Sequence, residues 1–186
     1  MPSASVASVN RLVWTAVLAA LTAVGAHIQF PIGPVPFSLQ TFFIMLCGLI
    51  LGPVRGPVAV LLYIAAGVLG LPVFSKGSSG FAHLLGPTGG FLLGFVFQAA
   101  AYGLAPRRTA DGQPGELPWL RGIAFGLVGS VVLFTPGVVR LAAVMNTDLA
   151  KAAAVGLLPF IPSDLIKMAL AIACYRHLRA KRLLPA

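Results

Sequence analysis

Six apolar stretches, each nearly long enough to cross a lipid bilayer, dominate this sequence. A membrane-spanning helix needs about 20 mostly apolar residues, and proline, glycine and charged residues separate the six stretches. Only 9% of the 186 residues are charged, whereas about a quarter are charged in an ordinary soluble domain. The sequence therefore predicts a single all-α membrane domain and argues against a soluble enzyme or binding module. The predicted transmembrane helices cover residues 12–30, 37–52, 57–74, 84–105, 122–143 and 159–178.

Most of the basic residues lie on one side of this six-helix arrangement. Cytoplasmic segments beside membrane helices carry an excess of lysine and arginine. The sequence therefore predicts that both termini are cytoplasmic and that the loops after the first, third and fifth helices face outward. The net charge of +9 then reflects topology, and no nucleic-acid partner is expected. The residues assigned to the cytoplasmic side are Arg11, Arg55, Arg107, Arg108, Arg121, Arg176, Arg179, Lys181 and Arg182.

Motifs for nucleotide, metal or thiol chemistry are missing from the sequence. The pattern G-x-x-x-x-G-K-[ST] does not occur, so the chain has no P-loop. Transport driven by ATP would therefore require a partner that binds the nucleotide. Cys47 and Cys174 lie within apolar stretches, where cysteine usually behaves as a small hydrophobic residue. No cofactor, metal or catalytic residue is expected.

Asp164 and Lys167 are the most informative polar residues. They are three positions apart on the sixth predicted helix and therefore share one of its faces. Ionisable side chains at membrane depth are costly and usually mark a functional cavity. Two readings remain open for this pair, a ligand site and a structural ion pair near the outer interface.

The predicted outer loops carry a concentration of polar side chains. They are Ser38, Gln40 and Thr41 at the start of the second helix, and Ser79, His83 and Thr88 around the start of the fourth. Small ligands bind in concave sites that combine apolar walls with a few polar groups. The outer end of the bundle is therefore the predicted ligand site.

Five ordered sequence blocks give the chain a specific resemblance to a known family. It closely resembles the BioY family, the biotin-binding S components of energy-coupling-factor (ECF) transporters. The resemblance implies a prokaryotic, multi-pass protein of the plasma membrane, in contact with lipids, that binds biotin from outside. It also implies a transmembrane coupling subunit and cytoplasmic ATP-binding subunits as partners, and leaves open whether the chain forms a homo-oligomer. The blocks are Gly25–Thr41, Leu51–Gly56, Gly70–Phe74, Gly86–Phe91 and Pro159–Lys167.

Biotin chemistry assigns expected roles to individual residues. Asp164 is expected to accept hydrogen bonds from the ureido N–H groups, and Lys167 to donate to a ureido or carboxylate oxygen. In the family the coupling subunit docks on small residues of the first helix, which correspond here to Ala16 and Ala20, with Ala19 and Ala23 beside them. The remaining expected biotin contacts are polar ones from Gln40, Ser79 and Thr88 and apolar ones from Phe37, Phe74 and Phe91.

Two positions depart from the family pattern. Ser163 stands before Asp164, where the family usually has glycine. Arg140 occupies a place expected to be apolar or aromatic, and it is expected either to pair with Asp148 or to add a positive charge near the ligand carboxylate.

Two alternative functions remain open from the sequence. One is an S component, or a solitary facilitator, for another small vitamin. The other is a rhomboid-like intramembrane serine protease, because Gly77-Ser-Ser-Gly80 resembles a nucleophile motif with Ser79 as the nucleophile. A serine nucleophile needs a base within hydrogen-bonding distance. His177 lies on the opposite side of the membrane in the predicted topology, and His83 is on the same loop as Ser79.

Overall fold

Seven α-helices and one short β-hairpin form in the computed structural model, which describes residues 4–30, 35, 37–107 and 114–185. Single 3-10 turns occur at Ser75–Gly77 and Leu158–Phe160. Arg108, which the sequence assigned to the cytoplasmic side, lies outside the described residues. The elements in chain order are α1 (Ala4–His27), β1 (Gln29–Phe30), β2 (Phe37–Ser38), α2 (Gln40–Val68), α3 (Phe81–Leu85), α4 (Gly89–Gly103), α5 (Trp119–Met145), α6 (Leu149–Gly156) and α7 (Ile161–Ala180).

Helices of membrane-spanning length make up most of the described chain. Four segments in these ranges are long and apolar enough to cross a bilayer, and α4 is apolar but shorter. The chain is therefore an all-α membrane protein, as the sequence predicts. The four segments are Ser8–His27, Gln40–Val68, Trp119–Met145 and Leu149–Ala180.

The long helix α2 consists of two halves that fold back on each other at Gly52. Gly52 has φ 89° and ψ −176°, a conformation essentially restricted to glycine. Pro53 then begins the second half, a position where its missing N–H costs little. The reversal brings Gly56 against Cys47, because a Cβ atom at Gly56 would lie 2.8 Å from the Cys47 carbonyl oxygen. The sequence predicted a turn containing Arg55 and Gly56, whereas the structure reverses at Gly52 and places both residues in the second half.

Other helix boundaries also differ from those expected. The predicted helix 84–105 is divided, because Gly86 is extended and Pro87 has no N–H to continue α3. Helix α4 therefore begins at Gly89. The predicted helix 12–30 ends early, at His27, because Gln29–Phe30 forms an antiparallel pair with Phe37–Ser38.

Glycine residues allow α4 to pack closely between α2 and α5. A side chain at Gly48 of α2 would collide with the Ala99 carbonyl of α4, and one at Gly94 of α4 would collide with the Leu133 carbonyl of α5. Small residues permit such backbone contact in membrane proteins, where van der Waals packing drives helix association. The central position of α4 holds α2 and α5 on either side of the space that contains the candidate site.

Basic residues gather at one end of the bundle and attach its helices to one another. Arg121 Nη2 donates to the Leu104 carbonyl at 3.1 Å, which joins α5 to the end of α4. Arg176 Nη1 donates to the Leu117 carbonyl at 2.9 Å, which joins α7 to the segment before α5. The end of α7 therefore lies at this basic end.

Helix α1 runs antiparallel to the first half of α2. Gly25 packs against Gln40 at the start of α2, and the Thr22 hydroxyl lies 3.8 Å from the Cys47 thiol further along. The beginning of α1 therefore approaches the reversal at Gly52. Both ends of the described chain consequently lie at the basic end of the bundle.

Candidate ligand-binding site

A cavity lies at the end of the bundle opposite to the basic residues. The empty space between its lining atoms, counted together with the open mouth, is about 650 Å³. The starts of α2, α4 and α7, the middle of α5 and the segment 74–88 form its wall. Its polar lining residues are Ser38, Gln40, Thr41, Tyr63, Ser75, His83, Thr88, Ser163, Asp164 and Lys167, and its apolar ones are Val35, Phe74, Phe91, Leu92, Phe95, Leu133, Phe134 and Phe160.

Asp164 places a carboxylate in the wall of this cavity. The residue is only 5% exposed and lies in the first turn of α7, where the helix dipole favours a negative charge. Its Oδ2 accepts a hydrogen bond of 2.5 Å from the Ser130 hydroxyl of α5. A carboxylate has about four acceptor positions, so this bond orients the group and leaves acceptor capacity for a ligand.

Lys167 lies one turn further along α7 and is 7% exposed. Its ammonium donates to the Ser38 carbonyl at 2.6 Å and to the Thr41 hydroxyl at 3.0 Å. The nitrogen also lies 4.4 Å from the centre of the Phe37 ring, within the range of a cation–π contact. The positive charge is thus held by the start of α2 and the strand before it.

Asp164 and Lys167 do not form a direct ion pair in the described part of the chain. The salt bridges within 4.0 Å among the described residues are Lys151–Asp148 and Arg179–Glu116. Each member of the pair is anchored to a different element instead. The cavity therefore presents a carboxylate and an ammonium as two separate groups. The described residues therefore do not form the structural ion pair, and the ligand-site interpretation stays a prediction.

Aromatic rings supply most of the apolar wall. Phe74 and Phe91 line the cavity, as expected, whereas Phe37 is not among the lining residues. Phe37 stacks on Phe160 with ring centres 6.2 Å apart, so it supports Lys167 and Phe160 from behind. Phe134, which also lines the cavity, meets Phe91 edge to face. Nothing in the sequence distinguished Phe134 and Phe160 from other apolar helix residues.

Gln40 lines the cavity from the first turn of α2. Its side-chain nitrogen is buried and has no hydrogen bond of normal geometry within the described part of the chain, and the same holds for the hydroxyl of Tyr63. Both residues face the cavity. The two side chains also interact with each other, so they form one polar edge in the cavity wall.

The segment before α4 contributes different residues from those expected. Ser79 is exposed and is not among the lining residues, whereas Ser75, His83 and Thr88 are. His83 is hydrogen-bonded to Ser78 and Thr88 rather than to Ser79. Positive φ angles at Gly77 and Gly80 turn the intervening side chains in directions that residue order does not reveal. Ser79 therefore has no histidine base among the described residues, which removes the structural basis of the protease alternative.

Arg140 takes neither of the two roles expected for it. Its guanidinium donates to the Leu85 carbonyl at the end of α3, and it is not among the cavity-lining residues. Asp148 pairs instead with Lys151 at 3.2 Å and accepts the Lys151 backbone N–H as the N-cap of α6. The i, i+3 spacing of Asp148 and Lys151 makes that local pairing easier to form. Arg140 therefore joins α5 to α3.

The four alanines proposed for partner docking divide into two pairs. Ala16 and Ala20 are exposed on α1. Ala19 and Ala23 are partly buried and pack against the protein's own core. Only the first pair is available to another chain in this structure.

Together, the membrane fold and the enclosed polar and aromatic cavity define a membrane-embedded protein with a small-molecule binding site. Comparison with known sequences identifies the family, because the family model described as "BioY family" matches residues 1–184 of this chain. The chain is 38% identical to the biotin transporter BioY of Thermotoga maritima over 94% of this chain and 97% of that protein. It is 40% identical to the probable biotin transporter BioY of Pyrococcus horikoshii, over 88% and 93%. The chain belongs to the BioY family.

Solved structures agree with this assignment. The S-component for biotin from an ECF-type ABC transporter has a TM-score of 0.80 and 29% identity, over 97% of this chain and 95% of that one. The structure of FolT bound with folic acid has a TM-score of 0.56 and 21% identity, over 94% and 92%. The second similarity shows a shared fold alone.

Proposed function

We propose that this chain is the biotin-binding S component of an ECF-type uptake transporter. The observation that carries the proposal is the cavity in which Asp164 and Lys167 are held apart by separate anchors among aromatic walls. The names of the relatives support biotin as the ligand, because they are biotin transporters. The similar solved structure, an S-component for biotin, supports the same assignment.

The two charged groups match the two polar ends of biotin. Its ureido ring has two N–H donors and one carbonyl, and its valeryl chain ends in a carboxylate. Asp164 accepts from a ureido N–H, and Lys167 donates to an oxygen of the ligand. The side-chain amide of Gln40, which lines the same cavity, supplies a further donor.

The apolar parts of biotin match the aromatic wall. The thiophane ring and the valeryl chain have no hydrogen-bonding groups along most of their length, and their burial is favourable in proportion to the apolar area removed from water. Phe74, Phe91 and Phe134 line the cavity together. In this binding mode the rings hold the ligand body while the polar groups determine its orientation.

The proposed topology places the cavity on the outer side of the plasma membrane. Arg121, Arg176 and both ends of the described chain lie at the opposite end of the bundle, which is then cytoplasmic. The sequence has no P-loop, so a separate ATP-binding module supplies the energy. Ala16 and Ala20, exposed on α1, provide the surface on which a transmembrane coupling subunit docks.

Titration of the purified protein with biotin tests the proposed function. The wild type should saturate with biotin and not with riboflavin, thiamine or folic acid. Asp164→Asn and Lys167→Ala should each weaken binding by on the order of 100-fold, because each removes one charged partner from a buried site. Lys151→Ala is the matched control, since Lys151 is exposed and is not among the cavity-lining residues. Near-wild-type affinity in both site variants, or no saturation by biotin, would contradict the proposal.

A further inference from the structure

Four groups at the mouth of the cavity form a continuous hydrogen-bond chain. The Ser78 hydroxyl donates to the Ser75 carbonyl at 2.7 Å. The same hydroxyl oxygen lies 3.1 Å from His83 Nδ1, and His83 Nε2 lies 3.3 Å from the Thr88 hydroxyl. Ser75, His83 and Thr88 line the cavity, so the chain ends at the ligand site.

Counting hydrogens assigns a direction to each bond in this chain. A serine hydroxyl has one hydrogen, and that of Ser78 is used on the Ser75 carbonyl. The Ser78 oxygen must therefore accept, so His83 Nδ1 carries the proton and donates. A neutral imidazole has one N–H, so Nε2 is an acceptor and the Thr88 hydroxyl donates to it.

Thr88 occupies an unusual position for such a bond. It is the residue before the first turn of α4, where threonine commonly accepts a hydrogen bond from a helix N–H. Its side chain makes no such capping bond here. The hydroxyl hydrogen is directed to His83, and the oxygen lone pairs are left for a group in the cavity.

We propose that His83 sets the hydrogen-bonding direction of Thr88, so that Thr88 accepts an N–H group of the bound ligand while the imidazole is neutral. A protonated imidazole donates from both nitrogens, so one Thr88 lone pair accepts from Nε2 and the Thr88 hydrogen is free to point toward the cavity, where it opposes a ligand N–H. The inference rests on the proposed function and adds a residue that selects for a ligand with an amide-like or ureido N–H at this position. His83 acts here as a positioning residue.

The surroundings of His83 keep the imidazole neutral. Its ring stacks on Phe74 with centres 4.8 Å apart, and its burial lowers the pKa of the imidazole below the ordinary value of 6.5.

Other titratable or charged groups near the site come from each neighbouring element. Asp164 and Lys167 of α7 and Tyr63 of α2 line the same cavity. Arg140 of α5 contacts the Leu85 carbonyl on α3, and Lys76 is exposed on the adjoining turn. Titration of Asp164 or Lys167 would also affect binding. The contribution of His83 must therefore be measured as the difference in acid-induced loss of affinity between the wild type and His83→Gln.

The test compares biotin affinity at about pH 7.5 and about pH 5.5, on either side of the ordinary histidine pKa, in the wild type and three variants. His83→Gln retains an acceptor for Thr88 but cannot be protonated in this range. Whatever its affinity at the higher pH, it should lack the part of the acid-induced loss, about three- to tenfold, that one hydrogen bond accounts for. At the higher pH, Thr88→Val should bind several-fold more weakly than Thr88→Ser, which retains the hydroxyl. Equal acid-induced losses in the wild type and His83→Gln, or wild-type affinity in Thr88→Val, would overturn the inference.

A second measurement needs no ligand and separates this inference from the proposed function. The ¹⁵N NMR spectrum of histidine-labelled protein, assigned with His83→Gln, should show the Nδ1-protonated neutral form of His83 at neutral pH. An Nε2-protonated form would overturn the hydrogen-bond direction even if biotin binds. Absence of biotin binding in a protein with the Nδ1-protonated form would instead contradict the proposed function.

Discussion

The Ser130 hydroxyl of α5 donates to Asp164 Oδ2 of α7 over 2.5 Å. This is a bond between a hydroxyl and a carboxylate, a type that is shorter and stronger than one between neutral groups. It connects two helices across the wall of the cavity and orients the carboxylate assigned to ligand recognition. We therefore expect the affinity of the proposed site to depend on Ser130, which is not among the cavity-lining residues.

Removing this hydroxyl should weaken ligand binding. Ser130→Ala is expected to lower biotin affinity by roughly ten- to 100-fold, because a hydrogen bond to a charged group contributes about 1.5–3 kcal/mol. Calorimetric titration at constant pH measures the change. Thr135→Ala is a matched control on the same helix, since the Thr135 hydroxyl bonds the Val131 carbonyl of its own helix. Equal affinities in Ser130→Ala and Thr135→Ala would show that Ser130 has no such role.

The ammonium of Lys167 should also stabilise the strand before α2. In Lys167→Met the Ser38 carbonyl loses its buried donor, which costs about 1–3 kcal/mol. The Leu39 amide, which donates to the Ile28 carbonyl at 3.0 Å in the same hairpin, should then exchange its hydrogen about tenfold faster or more in the ligand-free protein. Hydrogen exchange by mass spectrometry measures this rate, with Lys151→Met as the control. An unchanged rate would show that the hairpin does not depend on Lys167.

The reversal within α2 should depend on glycine at position 52. Gly52→Ala forces a side chain into a backbone conformation that costs about 1–3 kcal/mol, and the variant should lose several degrees of thermal stability in detergent. Gly86→Ala is the comparison, because Gly86 has an ordinary φ of −75°. If the two variants melt at the same temperature, the conformation of Gly52 is not a source of strain.

Acidification should destabilise the folded protein through His83. Burial lowers the pKa of His83 below its ordinary value of 6.5, so the unfolded chain binds more protons than the folded chain between these two pKa values. The free energy of unfolding therefore falls as the pH decreases from the ordinary value through the lowered one. Melting temperatures across this range should decline more steeply for the wild type than for His83→Gln. Parallel curves would contradict the expectation.

Bulky residues on the exposed face of α1 should block assembly and spare ligand binding. Ala16→Phe and Ala20→Phe are expected to prevent co-purification of the coupling subunit, because small residues allow close contact between membrane helices. Biotin affinity should remain within about twofold of the wild type, since neither residue lines the cavity. Val128→Phe, on an exposed position of α5, is the control. Normal co-purification of both α1 variants would place the docking surface elsewhere.

Much of the architecture followed from local features of the chain. The apolar stretches identified the membrane class, and Gly52-Pro53 marked the division between the second and third predicted helices. The i, i+3 spacing placed Asp164 and Lys167 on one helix face near the cavity. Each of these properties depends on a few neighbouring residues, so it can be predicted without knowledge of the fold.

Other parts of the site depend on contacts between distant segments. Lys167 contacts Ser38, 129 positions away, and Asp164 contacts Ser130 on another helix. The segment 74–88 also turns through several glycine conformations, which expose Ser79 and bring Ser78 to His83. Residue order carries no information on these directions, and for that reason Ser79 was an expected contact and Ser78 was not.

The sequence by itself determined that this is an all-α membrane protein, that most of its basic residues lie at one end and that it belongs with a family of biotin transporters. These properties follow from hydrophobicity, charge and local motifs, which are present in the unfolded chain. Only the tertiary structure decided that Asp164 and Lys167 are held apart by Ser130 and Ser38. The physical reason is that a buried charge requires partners, and packing of the helices determines which partners are within hydrogen-bonding distance.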